Sequence, residues 1–198
     1  MRGIFLIILL TFGGIVMTSS LFAQTHTFDI RIGSNNTIGT IEVQKKENGS
    51  VRHILIKSRV QMMLLSKMNS DLSVEFRDNL LLQARSVRQS NKSGEDKATI
   101  TKREGNDYVV VHNGDRSVLS NTNIQHTVAE LYFSEPRDVS RIFSETLGQF
   151  LTLKALGNGQ YELNLPEGKR NIYKYIKGLL VEVEVNHTLG KAYFKKTS

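Results

Sequence analysis

Along most of the chain from Thr25 onward, apolar residues return at every second position, and Asn-Gly pairs break the runs. Such alternation places successive side chains on opposite faces, so it commits a segment to a sheet with one face turned inward. THTFDIRIG sets Phe28, Ile30 and Ile32 against polar neighbours. Asn48-Gly49, Asn113-Gly114 and Asn158-Gly159 each separate two runs of this kind. Tight hairpin turns require positive φ, which Asn and Gly adopt most readily, so these dipeptides predict three hairpins. Pro166-Glu167-Gly168 predicts another turn, and Gly178 predicts a bulge or bend between NIYKYI and LLVEVEV. SVRQSNKSGEDKAT, residues 86–99, lacks apolar periodicity and reads as a loop. The expectation is an all-β chain with one or two short helices. Its body is a single antiparallel curved sheet or barrel-like domain of about ten to twelve strands.

Helical spacing is confined to the middle. Ile124, Val128 and Leu131 fall at i, i+4, i+7, and Val139, Ile142 and Phe143 at i, i+3, i+4. Ser134 is placed to cap the second segment, Pro136 fits its first turn, and Gly148 is placed to end it. The second helix would bury Val139, Ile142, Phe143 and Leu147.

The N-terminus bounds location. Arg2 precedes an uncharged apolar run, and small polar residues and Ala23-Gln24 follow it. This is the layout of a secretory leader over residues 1–23, leaving one β-rich domain over residues 24–198. No other stretch is long and apolar enough to span a membrane. The chain contains no cysteine, which excludes thiol nucleophiles, thiolate metal sites and a stabilising disulfide framework. Those features predict export to the periplasm or cell envelope of a Gram-negative bacterium. The formal charge is +7, less one if Arg2 leaves with the leader. Its lysines and arginines are spread thinly over outward positions, which argues against a nucleic-acid partner.

Chemistry-bearing residues are sparse. LYFSEPRDVSRIFSETLGQF holds Tyr132, Phe133, Glu135, Asp138, Ser144 and Glu145. Helix punctuation accounts for much of it, but Tyr132, Phe133, Glu135, Ser144 and Glu145 remain as candidates to line a ligand cavity at the mouth of the sheet. Tyr173 and Tyr175 share one strand face near Lys174 and Lys177, a pattern suited either to a sugar or headgroup or to a half-buried tyrosine rim. His126 and Glu130 have i, i+4 spacing, but two ligands do not complete a metal site, so no metal is assigned. No G-x-S-x-G elbow or phosphate-binding glycine loop occurs, so no cofactor and no catalytic residue is assigned. Glu182 and Glu184 share a strand face as solvated charges.

FDIRIG, IGT, LYFSEP, IFSETLGQF and LPEGKRNIYKYIKGLLVEVEV together resemble an uncharacterised family of exported proteins of Bacteroidota envelopes, a domain of unknown function. The resemblance implies a β-sheet body and export, and no activity. A more distant likeness of layout is to periplasmic curved-sheet proteins that cradle lipid or acyl chains.

Three functions follow as expectations. The first is a non-enzymatic envelope protein holding an apolar small molecule or partner segment. Met62, Met63, Leu64 and Leu65, and then Leu80 to Leu82, motivate it by exceeding what one strand face needs. The second is a structural or assembly protein that docks an envelope protein by a sheet edge, which requires an exposed unpaired strand. The third is a hydrolase using Glu135, Asp138 or Glu145 with His126, which requires those side chains to converge.

Overall fold

The alternating runs do become strands. A computed structural model describes residues 22–33, 36–62, 66–187 and 190–197, and places fourteen antiparallel strands in one sheet. The first meander has eight strands: β1 (Phe22–Ile32), β2 (Asn36–Asn48), β3 (Val51–Met62), β4 (Ser66–Arg77), β5 (Leu80–Ser90), β6 (Lys97–Glu104), β7 (Asp107–His112) and β8 (Asp115–Leu119). The second has six: β9 (Arg141–Ser144), β10 (Gln149–Gly157), β11 (Gln160–Asn164), β12 (Arg170–Ile176), β13 (Leu179–His187) and β14 (Gly190–Lys196). β14 pairs with β1 and joins the two meanders, so β8 and β9 are the two ends of an unclosed sheet. The leader and the cluster Met63 to Leu65 lie largely or wholly outside the described residues; Phe22 and Ala23 already pair with Glu47 and Lys46.

Turn chemistry sets the register. Asn113-Gly114 and Asn158-Gly159 occupy two-residue turns with both φ values positive. Lys177-Gly178 does the same, so Gly178 closes a hairpin. At β2–β3 the turn slips by one residue to Gly49-Ser50, because Asn48 still pairs with Val51. The expected loop at residues 86–99 shrinks to residues 91–96, since β5 and β6 extend into it. Its outward polar residues hide the alternation of Ser86 and Thr99, which are buried. A bulge accounts for the run Leu80 to Leu82: the register shifts between Glu75 and Phe76, which leaves Leu82 out of the ladder and pairs Phe76 with buried Leu81.

Inward residues such as Phe28, Val43, Ile54, Phe76, Tyr108 and Leu153 form one continuous core. Its centre is filled by the segment that links the meanders. Ile124 carbonyl accepts from Leu81 N–H at 2.8 Å, and His126 carbonyl accepts from Phe143 N–H at 2.9 Å. A short 3-10 helix, Val128–Tyr132, follows. Thr127 lies in a parallel bridge with Phe143, beside the outer edge of β9.

The helix expected over residues 134–148 does not form. Residues 134–140 are irregular, with Asp138 at φ 60°, and Ile142 and Phe143 belong to β9. Ile142, Phe143 and Ser144 are all buried, because β9 is covered on both faces. A strand buried on both faces loses its period of two, and consecutive apolar residues then mimic helical spacing. Gly148 ends the β9–β10 turn, where a Cβ would collide with the Val110 side chain. This turn packs against the first meander without closing the sheet. Thr146 carbonyl accepts from Thr99 Oγ1 at 2.7 Å, joining the second meander to the inner face of the first.

Candidate functional site

The link segment, β12 and the turn after β9 bring four of the seven candidate residues together inside the sheet. β12 alternates inward at Tyr173 and Tyr175, both buried, so they do not form a wet rim. Tyr175 Oη donates to the Leu131 carbonyl at 2.7 Å and its ring meets Tyr161 edge-on at 5.6 Å. Tyr132 stands edge-on to Phe28 at 5.4 Å. Burial raises the phenol pKa values of Tyr132, Tyr173 and Tyr175 above the ordinary range, and the neighbouring phenols and carboxylates add to it. Lys174 points outward, where it reaches Glu182 at 2.6 Å; it shares no face with the tyrosines. Glu184 is buried to 9% exposure in the same outer ladder and pairs with Lys191 at 2.6 Å.

Glu145 is the fourth member. It follows β9, and only 1% of it is exposed. Its Oε1 accepts from Ala129 N–H at 3.1 Å, so a turn in the second meander holds the head of the 3-10 helix. Burial pushes its carboxyl up to about 7, with Glu130 adding to the rise and the Ala129 N–H and Thr127 hydroxyl opposing it.

The other candidates separate. Phe133 sits between His26, at 5.6 Å ring to ring, and Lys45 Nζ, 5.5 Å from the ring centre. Ser144 Oγ accepts from Leu147 N–H at 3.3 Å, a turn-forming contact. Glu135 accepts from Tyr161 Oη at 3.0 Å and pairs with Arg137. Glu135 and His126 line a shallow cleft of about 180 Å³ with Glu130, Pro136 and Arg137. Neither Asp138 nor Glu145 lines it, so of the three acids only Glu135 shares this cleft with His126. Glu130 is committed elsewhere: Arg52 Nη2 donates to Oε1 at 2.8 Å and Thr127 N–H to Oε2 at 3.0 Å. Among the described residues, no group of three or more His, Asp or Glu is placed to hold a metal ion.

Arg52 is the main residue that sequence reasoning passed over. It crosses the Phe76 ring at 4.3 Å and anchors the link segment through Glu130. A signal existed: Arg52 is in phase with the inward Ile54 and Ile56, so a charge occupies an inward position. Tyr161 carries no comparable cue for its bond to Glu135.

Fold and site define a class: an all-β protein whose antiparallel sheet curls around its own linking segment, with a carboxylate and phenols buried beneath it. The chain belongs to the family described as a domain of unknown function, DUF6134, which matches residues 28–197. A beta-barrel-like protein of domain of unknown function DUF1849 from Brucella abortus shares the fold, with a TM-score of 0.53. Identity is 9%, over 91% of this chain and 98% of that one. No curated protein matches. Among the described residues, no helix is long and apolar enough to cross a membrane.

Proposed function

We propose that this chain is a non-enzymatic protein of a Gram-negative envelope, exported behind its leader, that docks a partner protein by accepting an extended segment on β8. The leader layout supports export, and the motif resemblance supports a Bacteroidota source. The observation that carries the docking is the free outer edge of β8. Residues Asp115 to Val118 are exposed, and no described strand lies beyond them. The two-residue turn makes His112 with Asp115, and Val110 with Ser117, the pairs that exchange both hydrogen bonds. Arg116 and Val118 therefore turn their N–H groups outward, as an added strand requires.

A photo-crosslinker at Val118, introduced into the chain in its own envelope, tests this. A discrete adduct with one envelope protein is expected; a chain that forms none refutes edge docking. The other reading, an apolar ligand in the cradle, requires Ile124, Leu131 and Phe133 to vacate the space they fill. Native mass spectrometry of the envelope-purified protein distinguishes it: excess mass released on denaturation would favour the ligand.

A further inference from the structure

We propose that the paired tips of the β10–β11 and β12–β13 hairpins form a face that rests on an anionic lipid bilayer. This stands apart from the β8 reading and uses none of its residues. Leu156, Ile176 and Leu179 are 45%, 62% and 51% exposed. Ile176 pairs with Leu179 across the Lys177-Gly178 turn. Inward Tyr175 and Leu180 flank that pair, so the alternation sends both side chains to the outer face. Leu156 is the residue left out of the β10–β11 ladder, between Ala155 and Gly157. The tips are locked side by side: Tyr175 N–H donates to the Gly159 carbonyl at 2.8 Å, and a Cβ on Gly159 would strike the Tyr175 backbone.

Charge selects the partner. Residues 154–160 and 174–180 hold Lys154, Lys174 and Lys177 and no carboxylate. Lys174 is neutralised by Glu182, and Glu162, opposite Lys154 in the ladder, is engaged by Arg170; among the described residues Lys154 and Lys177 form no ion pair. The other tips at this end differ. Gly49-Ser50 and Gly105-Asn106 are small and polar, Asp78-Asn79 carries an acid, and Glu104 and Asp107 flank the Gly105 turn. Branched apolar side chains amid unpaired ammonium groups match the boundary between acyl chains and phosphates. A protein interface favours aromatic residues and arginine and avoids lysine, and neither tip apex offers an aromatic ring or arginine to a partner.

The chain lacks cysteine, so one introduced thiol can be labelled alone. An environment-sensitive fluorophore on Gln160→Cys, which pairs with outward Lys174, reports the proposed face. The same label on Asn106→Cys reports a polar tip at the same end, and registers any attachment made through the apolar N-terminal run. Vesicles of equal parts phosphatidylglycerol and phosphatidylcholine should blue-shift the first label and leave the second unchanged; pure phosphatidylcholine should move neither. Ile176→Asp with Leu179→Asp, and separately Lys154→Glu with Lys177→Glu, should each weaken the response about tenfold or more. These side chains are exposed, and an unchanged melting temperature certifies each variant. No shift at Gln160, equal shifts at both labels, or charge-reversed tips that bind as before would overturn the proposal. An envelope protein captured by a photo-crosslinker at Gln160, without a vesicle response, would also overturn it and assign the face to a protein.

Discussion

The two ends of the sheet are made of similar backbone and treated in opposite ways. β9 has four residues, three of them buried, with β10 on one side and Thr127 bridged on the other. β8 has five residues, four of them exposed, with β7 on one side only. An uncovered edge presents unpaired N–H and C=O groups to any extended chain. Covering β9 uses the link segment, and that same segment fills the core. The protein therefore spends its one long connection on a single edge, and β8 stays open. Truncating one side chain at each edge breaks or confirms this contrast. Phe143 is wholly buried and meets Phe150 edge-on at 5.4 Å, so Phe143→Ala should cost about 3–5 kcal/mol. Val118→Ala, 44% exposed in the native strand, should stay within about 0.5 kcal/mol. Urea unfolding of both variants checks this, and comparable losses would mean that β9 is no better anchored than β8.

The next effect in size depends on pH and also separates the edges. Glu145, beside β9, has a carboxyl raised by burial from 4.5 to about 7. The folded chain then keeps a proton that the unfolded chain releases. Its contribution to stability is present in full below about pH 4.5 and is lost as pH rises to about 7, after which this group adds no further slope. Glu145→Gln should remove that slope, and the protection factors of the Ala129 and Phe143 amides, with the intrinsic pH dependence of exchange divided out, should stop falling between those pH values. Exchange along β8, whose turn buries no carboxylate, should ignore the substitution. Persistence of the slope in Glu145→Gln would assign it to another buried acid, Glu130 first, whose pKa burial also raises.

Legibility in the sequence follows the same contrast. Strands with one wet face announce themselves: Phe28 and Ile30 alternate cleanly, and the Asn113 and Asn158 turns fall where the dipeptides put them. β9 was unreadable because cover on both faces erases alternation, so Ile142 and Phe143 imitated a helix. Tyr132, Glu145, Tyr173 and Tyr175 were recognisable as residues lacking a local job, but their meeting depends on contacts far apart in sequence. Tyr175 reaches Leu131 from β12, and Glu145 reaches Ala129 from beyond β9. No local pattern encodes such contacts. The open edge was foreseeable as a need of any unclosed sheet; that β8 carries it follows only from where the link segment turns.

The smallest effect on stability is the sharpest test of the open edge. Proline at a residue whose N–H enters the ladder removes a bond and clashes with its neighbour strand; at an outward N–H it removes only a donor to water. Val118 is outward by the alternation of the β7–β8 ladder, so Val118→Pro should cost much less than proline at ladder-bonded Ser117, compared by urea unfolding. It should nevertheless abolish any adduct that depends on adding a strand, read with the crosslinker moved to Arg116. Large destabilisation would show that the Val118 N–H already serves the fold and that β8 is not free. A stable variant that still forms the adduct would place the partner on the side chains of β8 instead of its backbone.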